Sequence, residues 1–170
     1  NLESEKNLRD FVEKNPVDFI INAAAYTKVD LAEKEKDAAF TGNATAVVNL
    51  AKVCIDKKIF PVHISTDFLF HGPLNRPIAE TQAIHPIGIY AESKAAGESA
   101  VRDACAQHFI VRTAWLYGIG GNNFVEKIIR AAQQRPELRV VLDEEGSPTH
   151  TWDLAQATLA LADSGKHGLY

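Results

Sequence analysis

The stretch that decides the fold runs from Ser65 to Lys94, and its two ends read Ser65-Thr-Asp67 and Tyr90-Ala-Glu-Ser-Lys94. A short apolar run rich in strand-forming residues, Phe60–Ile64, precedes the first end, whereas the second end opens a long alanine-rich segment. Runs of the first kind are typical of strands, and segments of the second kind are typical of helices. The sequence therefore predicts a strand, a loop and a helix in this order.

Tyr90 and Lys94 are the pair in this stretch that is best suited to chemistry. Residues four apart share one face of a helix, so we expect the Lys94 ammonium near the Tyr90 phenol, whose ordinary pKa of about 10 is too high for acid–base work near neutrality. A nearby positive charge favours the phenolate and predicts a lowered pKa for Tyr90. A hydroxyl at the strand end, Thr66 or Ser65, is expected to hydrogen-bond the same substrate oxygen. The spacing alone is also typical of a solvated surface pair.

Strand-like and helix-like patterns alternate along the whole chain. We predict strands at Val17–Ala25, Phe60–Ile64, His108–Ala114 and Leu138–Leu142. We predict a helix ending at Asn15-Pro16, helices at Leu31–Lys58, Tyr90–Ala106 and Phe124–Gln134, a last helix with Thr151 as N-cap, and a long loop at Phe68–Pro86. The apolar run after Pro16 indicates a strand buried on both faces. The alternation implies parallel crossovers and a doubly wound parallel sheet of the α/β class.

Composition narrows the functional classes. The chain has 170 residues, 46% of them hydrophobic and 24% charged, which suits one domain with a core. A net charge of −4 without a basic run argues against a nucleic-acid partner, and no continuous apolar run is long enough to indicate a membrane span. The two cysteines, Cys54 and Cys105, lack metal-ligand spacing and are expected to be buried free thiols, which favours the cytoplasm. No metal site is predicted.

Ligands of doubly wound sheets gather at the carboxyl ends of the strands. Asn22–Thr27, Ser65–Asp67 and Arg112–Tyr117 follow three predicted strands and are expected to meet at one crevice. Trp115 is the most informative member of this set. A tryptophan at a strand end is most often a packing residue, but here it offers a flat apolar wall for a sugar ring or a base.

Six segments in order carry a closer resemblance. They are Asn22–Asp30, Ser65–Phe70, Tyr90–Glu98, Arg112–Gly118, Gly121–Phe124 and Gly146–Thr149. Their sequences resemble the successive motifs of the dTDP-4-dehydrorhamnose reductases, which belong to the extended short-chain dehydrogenase/reductase superfamily. The resemblance implies a single, partial, Rossmann-type NAD(P)-binding domain over residues 1–170. It also implies reduction of the C4 ketone of dTDP-4-dehydro-L-rhamnose to dTDP-L-rhamnose by NADPH or NADH.

The resemblance also implies roles for individual residues. Tyr90 would donate the proton, Lys94 would hold the nicotinamide ribose and tune Tyr90, and Thr66 would adjust that hydrogen bond. The residues implied to contact the dTDP-sugar are Thr66, Asp67 and Trp115. Those implied to bind the cofactor are Asn1, Leu2, Ala25, Tyr26, Thr27, Tyr90 and Lys94.

The chain also departs from the resembling family. Phe68 stands where the family generally has tyrosine, which bears on substrate contacts. The family's opening strand with its Gly-rich turn has no counterpart here, and neither has its C-terminal lobe beyond Tyr170, so we expect a fold that is incomplete at the N-terminus. Val17–Ile21 would then form an open apolar edge, which tends to recruit another chain. A homodimer is one arrangement that would cover this edge.

Three other interpretations remain open. A nucleotide-sugar dehydratase or epimerase would share the fold and Tyr-x-x-x-Lys, but the resembling dehydratases carry Asp-Glu after the threonine, and here Phe68 follows Asp67. A non-catalytic regulatory subunit could have the same fold, although Tyr90 and Lys94 are both present. An α/β domain whose motifs reflect packing alone is the third interpretation.

Overall fold

The computed structural model describes residues 1–72, 76–121, 123–142 and 145–170. Its helices are α1 Glu5–Lys14, α2 Val29–Ala32, α3 Lys36–Phe40, α4 Ala46–Lys57, α5 Ile89–Ala104, α6 Phe124–Gln134 and α7 Thr151–Asp163. Its strands are β1 Phe19–Asn22, β2 Phe60–Thr66, β3 Phe109–Thr113, β4 Leu116–Tyr117, β5 Thr149–His150 and β6 Gly168–Leu169. A π-helical turn, Thr41–Thr45, joins α3 to α4, and a 3-10 turn, Asp67–Leu69, follows β2.

The main sheet is parallel and has the order β1-β2-β3-β6. Each parallel neighbour is reached by a crossover through helices, as the alternating sequence pattern predicts. A separate parallel pair, β4 with β5, joins the segment after β3 to the start of α7. The predicted α/β class and parallel sheet are confirmed.

Helices cover both faces of this sheet because side chains alternate along each strand. Phe109 and Val111 of β3 pack with Ala162 of α7 on one face. Ile110, which lies between them, packs with Val47 of α4 and Val101 of α5 on the other face. The sheet is therefore doubly wound, and α5 lies on the same face as α4.

A third group of core side chains joins α1 to α4. Leu8 and Val12 of α1 pack with Leu50 and Cys54 of α4 and with neighbouring buried residues. The helical stretch Lys36–Lys57 is long and apolar enough to cross a membrane by length and composition alone, with 44% of its most apolar window buried inside the fold. The protein core accounts for the apolar face of this stretch.

The strand predicted at Val17–Ala25 is shorter and more exposed than expected. β1 has four residues and lies at the edge of the sheet, where it pairs with β2. The side chain of Ile21 is 42% exposed, so the prediction of burial on both faces is wrong. Among the described residues, β1 is the outermost strand of the main sheet.

The helix predicted at Leu31–Lys58 is interrupted. It is broken between Ala32 and Lys36, and the π-helical turn before α4 inserts a wider turn into the remainder. In this break, the Glu33 carboxylate accepts a hydrogen bond from the Ile89 amide of α5. Tertiary contacts thus override an alanine-rich helical pattern.

Two further predictions are wrong. Leu138–Leu142 does not form a strand, and Leu142 is 96% exposed. The described residues provide no neighbouring strand to pair with its backbone, and a lone strand is not stable in water. Thr151 is the first residue of α7 rather than its N-cap, which is His150 and makes no side-chain capping bond.

Candidate active site

The carboxyl ends of β1, β2 and β3 lie at one edge of the sheet. The parallel register pairs Thr66 with Thr113, and Asn22 with His63. Beyond Thr66 the chain turns at once, because the Thr66 hydroxyl accepts a hydrogen bond of 3.2 Å from the Phe68 amide and caps the 3-10 turn. The predicted strand ends therefore meet at the same side of the fold.

Helix α5 brings Tyr90 and Lys94 to this edge. Both lie on the helix face that packs against β2, and Lys94 is only 3% exposed. The Lys94 Nζ atom donates a hydrogen bond of 2.8 Å to the Ile64 carbonyl oxygen. The ring of Phe68 packs edge-on against the Tyr90 ring at 5.5 Å between centroids. Tyr90 and Lys94 are therefore not a solvated surface pair.

The pKa of Tyr90 shifts in the direction opposite to the prediction. Burial raises this pKa above its ordinary value, the Thr66 hydroxyl opposes the shift by hydrogen bonding, and the charge of Asp67 adds to it. The predicted lowering by Lys94 is wrong for this state because burial penalises the phenolate and the Lys94 ammonium is bonded to a backbone carbonyl. The neutral phenol is the form of Tyr90 that can donate a proton.

The pKa of Lys94 shifts downwards, because burial penalises the charged form and the charged form of lysine is the protonated one. Burial lowers the pKa of Lys94 to about 8, and the charge of Glu98 one turn further along α5 partly offsets this effect. Burial also raises the pKa of the Asp67 carboxyl. Perturbed groups that cluster at the end of a parallel sheet are typical of functional sites.

If this site carries a reaction, we expect the low pKa of Lys94 to appear in its pH profile. In the full-length gene product, kcat/KM should fall as pH rises through about 8, because the ammonium is lost there rather than near its ordinary pKa of 10.5. Initial rates from neutral to alkaline pH measure this limb. The remaining activity of Lys94→Arg should lack the limb, because guanidinium stays charged. A wild-type profile that is flat to about pH 10 would contradict the assignment.

A buried asparagine ties the loop after β1 to α5. Asn43, in the π-helical turn, accepts a hydrogen bond of 2.8 Å from the Tyr26 amide and donates to the Tyr26 carbonyl oxygen at 3.1 Å. It also donates to the Ser93 hydroxyl at 3.0 Å, and Ser93 donates to the Tyr90 carbonyl oxygen at 2.8 Å. Ala25 and Thr27, the neighbours of Tyr26, are exposed. The three predicted cofactor residues of this loop are thus anchored to the helix that carries Tyr90.

A second buried network lies beneath the strand ends. The Asn22 side chain accepts from the Ala24 amide at 3.1 Å, which turns its amide nitrogen towards His63 Nδ1 at 3.1 Å. Burial, assisted by the charge of Lys94, lowers the pKa of His63 to about 3, so this ring is neutral near neutral pH. It is therefore a structural histidine that holds Asn22 and the loop after β1.

A cavity of about 320 Å³ adjoins the site on the Asp67 side. Donors and acceptors in its lining, among them Arg112, Thr113 and Glu80, alternate with apolar side chains. Mixed linings of this kind suit hydroxyl-bearing rings. Trp115 lies outside this lining and packs on Phe124, at 5.7 Å between ring centroids.

Arg112, which lines the cavity, forms a buried ion pair with Glu98. The Arg112 Nε and Nη2 atoms donate to the two carboxylate oxygens of Glu98 at 2.8 and 2.7 Å. Glu98 is fully buried, and the guanidinium lies over the Phe70 ring at 5.1 Å. Loss of one partner of such a pair costs about 3–5 kcal/mol, because the other charge stays buried.

The remaining predicted residues lie at the beginning of the chain. Asn1 is exposed and accepts from the Glu3 amide at 3.1 Å, whereas Leu2 packs on the core shared by α1 and α4. The Leu2 carbonyl oxygen accepts from the Asn49 side chain of α4 at 3.4 Å. The structure gives no contact between Asn1 or Leu2 and the Tyr90 group, so their cofactor role stays a prediction.

Sequence reasoning missed Asn43, His63 and the Glu98–Arg112 pair. Glu98 follows Lys94 by four residues, and this continuation of the Tyr90–Lys94 spacing was a usable signal. Asn43 had no local signal, since its partners are far away in the sequence and a π-helical turn aims it at them. Asn122, in the Gly121–Phe124 motif, lies outside the described residues.

Comparisons with known proteins agree with this geometry. The dTDP-4-dehydrorhamnose reductase of Escherichia coli K12 is 42% identical over 158 residues, which cover 90% of this chain and 53% of that protein. The dTDP-4-keto-6-deoxy-D-glucose reductase of Streptomyces niveus is 42% identical over 165 residues, covering 96% of this chain and 57% of that protein. The chain thus spans about half the length of the curated relatives it matches.

The fold has solved counterparts as well. The crystal structure of dTDP-4-dehydrorhamnose reductase from Bacillus anthracis in complex with NADP superimposes with a TM-score of 0.94 at 41% identity. It covers 100% of this chain and 60% of the other. The family described as "RmlD substrate binding domain" matches residues 1–170. From this whole-length match and the identity to the relatives above, we conclude that the chain belongs to the RmlD substrate-binding-domain family.

Proposed function

We propose that this chain carries the catalytic face of an NADPH- or NADH-dependent oxidoreductase that reduces the C4 ketone of dTDP-4-dehydro-L-rhamnose to dTDP-L-rhamnose. The observation that carries the proposal is the placement of half-buried Tyr90 and buried Lys94 beside Thr66 at the carboxyl edge of a parallel sheet. Relatives that match this chain over about half of their own length, at 41–42% identity, bear the name of this reductase.

Tyr90 is the proton donor in this proposal. A bound reduced nicotinamide supplies a hydride to the carbonyl carbon, and the Tyr90 hydroxyl gives its proton to the carbonyl oxygen. Burial keeps the phenol neutral before the reaction, and Thr66 orients its hydroxyl. Lys94 then holds the ribose and stabilises the phenolate as it forms, because its ammonium lies on the same helix face.

The residues at the strand ends fit a nicotinamide cofactor. Ala23, Ala24 and Ala25 are small and exposed where the chain leaves β1, so they leave room for a flat ring. Tyr26 and Thr27 continue this surface, and Asn43 holds the backbone of Tyr26 in place. We propose Ala25, Tyr26 and Thr27 as cofactor contacts on this basis.

The deoxysugar fits on the other side of Tyr90. Asp67 lines the cavity of about 320 Å³, a volume that suits a hexose ring, and its neighbour Thr66 hydrogen-bonds Tyr90. Carboxylates there accept from sugar hydroxyls, while threonine hydroxyls donate and accept. Phe68 packs on Tyr90 at the position where an elimination enzyme would need a second carboxylate, which favours reduction over dehydration.

The test is an assay of the full-length gene product with dTDP-4-dehydrorhamnose and either NADPH or NADH. We expect nicotinamide oxidation that depends on the sugar nucleotide and yields one dTDP-rhamnose per oxidised cofactor. A protein that binds both ligands but oxidises no cofactor would support a non-catalytic subunit instead.

Trp115 gives a prediction about substrate recognition. It has an unusual positive φ of 47° and is wedged against Gly146, where an added Cβ would lie 2.4 Å from the indole nitrogen. If this conformation presents the indole to the sugar nucleotide, Trp115→Ala should raise the KM for the sugar about 10-fold or more and change the KM for the cofactor little. Steady-state kinetics with each ligand varied in turn measure both constants.

The matched control is Phe124→Ala, which removes the ring on which Trp115 packs. It should affect the KM for the sugar less than Trp115→Ala does. If Trp115→Ala raised the KM values for both ligands equally, and Phe124→Ala did the same, Trp115 would be a packing residue only.

A second candidate is reduction of a related nucleotide sugar. The Streptomyces niveus relative is named for dTDP-4-keto-6-deoxy-D-glucose, and it is as similar to this chain as the Escherichia coli protein is. Both substrates carry a C4 ketone, so the Tyr90 chemistry is the same. The ratio of kcat/KM values for the two sugars decides between them.

We also propose a cytoplasmic location and assembly as a homodimer. Cys54 and Cys105 are buried and free, which suits a reducing compartment. The apolar side chains of Val17 and Ile21, in and just before β1, are 41% and 42% exposed, and a second copy is one partner that would cover them. Sedimentation of the full-length gene product tests the second part.

A further inference from the structure

The carboxylate of Glu33 contacts the beginning of the helix that carries Tyr90. Its Oε1 atom accepts a hydrogen bond of 2.7 Å from the Ile89 amide, the first amide of α5. A Cβ added to Gly88 would lie 2.9 Å from the same oxygen, so the carboxylate packs directly on the glycine that precedes the helix. Glu33 lies in the break between α2 and α3, 56 residues away in sequence.

Helix α5 depends on this contact because it has no cap of its own. Its N-cap residue is Gly88, which has a positive φ of 84° and makes no side-chain capping bond. The first amides of a helix lack partners within the helix, and an acidic group placed there accepts a hydrogen bond and complements the helix dipole. Glu33 therefore does for α5 what an N-cap side chain ordinarily does.

The same short segment also contacts the loop after β1. The Glu35 Oε2 atom accepts a hydrogen bond of 2.7 Å from the Tyr26 hydroxyl. Glu33–Glu35 thus joins the proposed cofactor loop to the first turn of α5. Glu33 and Glu35 are both exposed, and each accepts a hydrogen bond from another segment of the chain.

We propose that Glu33 is a positioning residue for the reduction: its carboxylate fixes the first turn of α5 and thereby the place of the Tyr90 hydroxyl. Tyr90 follows the capped amide by one residue, so movement of that turn moves the phenol. The inference rests on the proposed function of Tyr90 as proton donor. A displacement of about 1 Å can lower turnover up to 100-fold when it affects a reacting group.

The experiment compares Glu33→Ala, Glu33→Gln and the control Lys34→Ala in the full-length gene product. Glu33→Ala should lower kcat about 10-fold with a KM for the cofactor within about twofold of the wild type. Glu33→Gln keeps an acceptor oxygen and should restore most of kcat. Because proton transfer becomes slower, the solvent deuterium isotope effect on kcat should be larger in Glu33→Ala than in Lys34→Ala.

Amide hydrogen exchange tests the positioning directly and does not depend on activity. Exchange protection of the Ile89 amide should fall roughly 2- to 30-fold in Glu33→Ala, the range expected for a lost helix cap, and should stay unchanged in Lys34→Ala. Unchanged protection, or a kcat equal to the wild type, would overturn the inference. A wild-type protein that reduces neither sugar would overturn the proposed function, whereas the exchange result would still decide whether Glu33 fixes the turn.

Discussion

Replacing Tyr90 with phenylalanine should lower kcat of the full-length gene product by about 10²- to 10⁴-fold, the range expected for one acid–base group. The phenol is the proposed source of the proton, and phenylalanine keeps the ring that packs edge-on against Phe68. The dissociation constant of the cofactor should change little, because Lys94 keeps its hydrogen bond to the Ile64 carbonyl. Single-turnover rates and a cofactor titration measure the two effects.

The control for this variant is Phe68→Tyr, which introduces a hydroxyl beside Tyr90 without removing the proton donor. It restores the residue common in the resembling family and should leave kcat within about threefold of the wild type. Near-normal turnover in Tyr90→Phe would show that another group supplies the proton. Equal reductions of kcat in Tyr90→Phe and Phe68→Tyr would indicate disturbed packing around the Tyr90 ring.

Replacing Gly97 with alanine should destabilise the protein strongly. Its Cβ would lie 2.2 Å from the carbonyl oxygen of Asn43, which is a backbone atom of a neighbouring helical segment and does not move freely. We expect the free energy of unfolding to fall by about 3 kcal/mol, since α5 must move away from the π-helical turn. Chemical denaturation monitored by circular dichroism measures the change.

Gly42 is the matched control, because it lies next to Asn43 in the same π-helical turn. A Cβ at Gly42 would meet nothing closer than 3.5 Å, and its φ is not positive. Gly42→Ala should therefore leave the free energy of unfolding unchanged or raise it by up to about 1 kcal/mol, as expected for glycine to alanine in a helix. If both variants had the same stability, the close packing at Gly97 would not be required.

The local pattern predicted most of the elements near the site. The apolar run ending in Ser65-Thr66 forms β2, and the alanine-rich segment after it forms α5, because periodicity reports burial directly. The parallel order of the strands followed from the alternation of strands and helices, and it brought Thr66 and Tyr90 to one edge. These features depend on residues that are close in sequence.

Features that depend on distant partners were not predictable in this way. The pKa of Tyr90 rises because of burial among side chains from other elements, and the spacing to Lys94 alone pointed in the wrong direction. Two residues outside α5, Asn43 and Glu33, hydrogen-bond to this helix, and Glu98 of α5 pairs with Arg112 of β3. The partners of all three are far away in the sequence, so no local pattern indicates them. Their roles appear only when the helices are placed on the sheet.

The transfer of a labelled hydride tests the central claim most directly. The full-length gene product is incubated with dTDP-4-dehydrorhamnose and a reduced nicotinamide that carries deuterium at its hydride position, and the product is analysed by nuclear magnetic resonance. If the Tyr90 face reduces the C4 ketone, deuterium appears at C4 of dTDP-rhamnose and nowhere else, and Tyr90→Phe forms this product at least about 100-fold more slowly. A product without deuterium, or with deuterium at another carbon, would contradict the account.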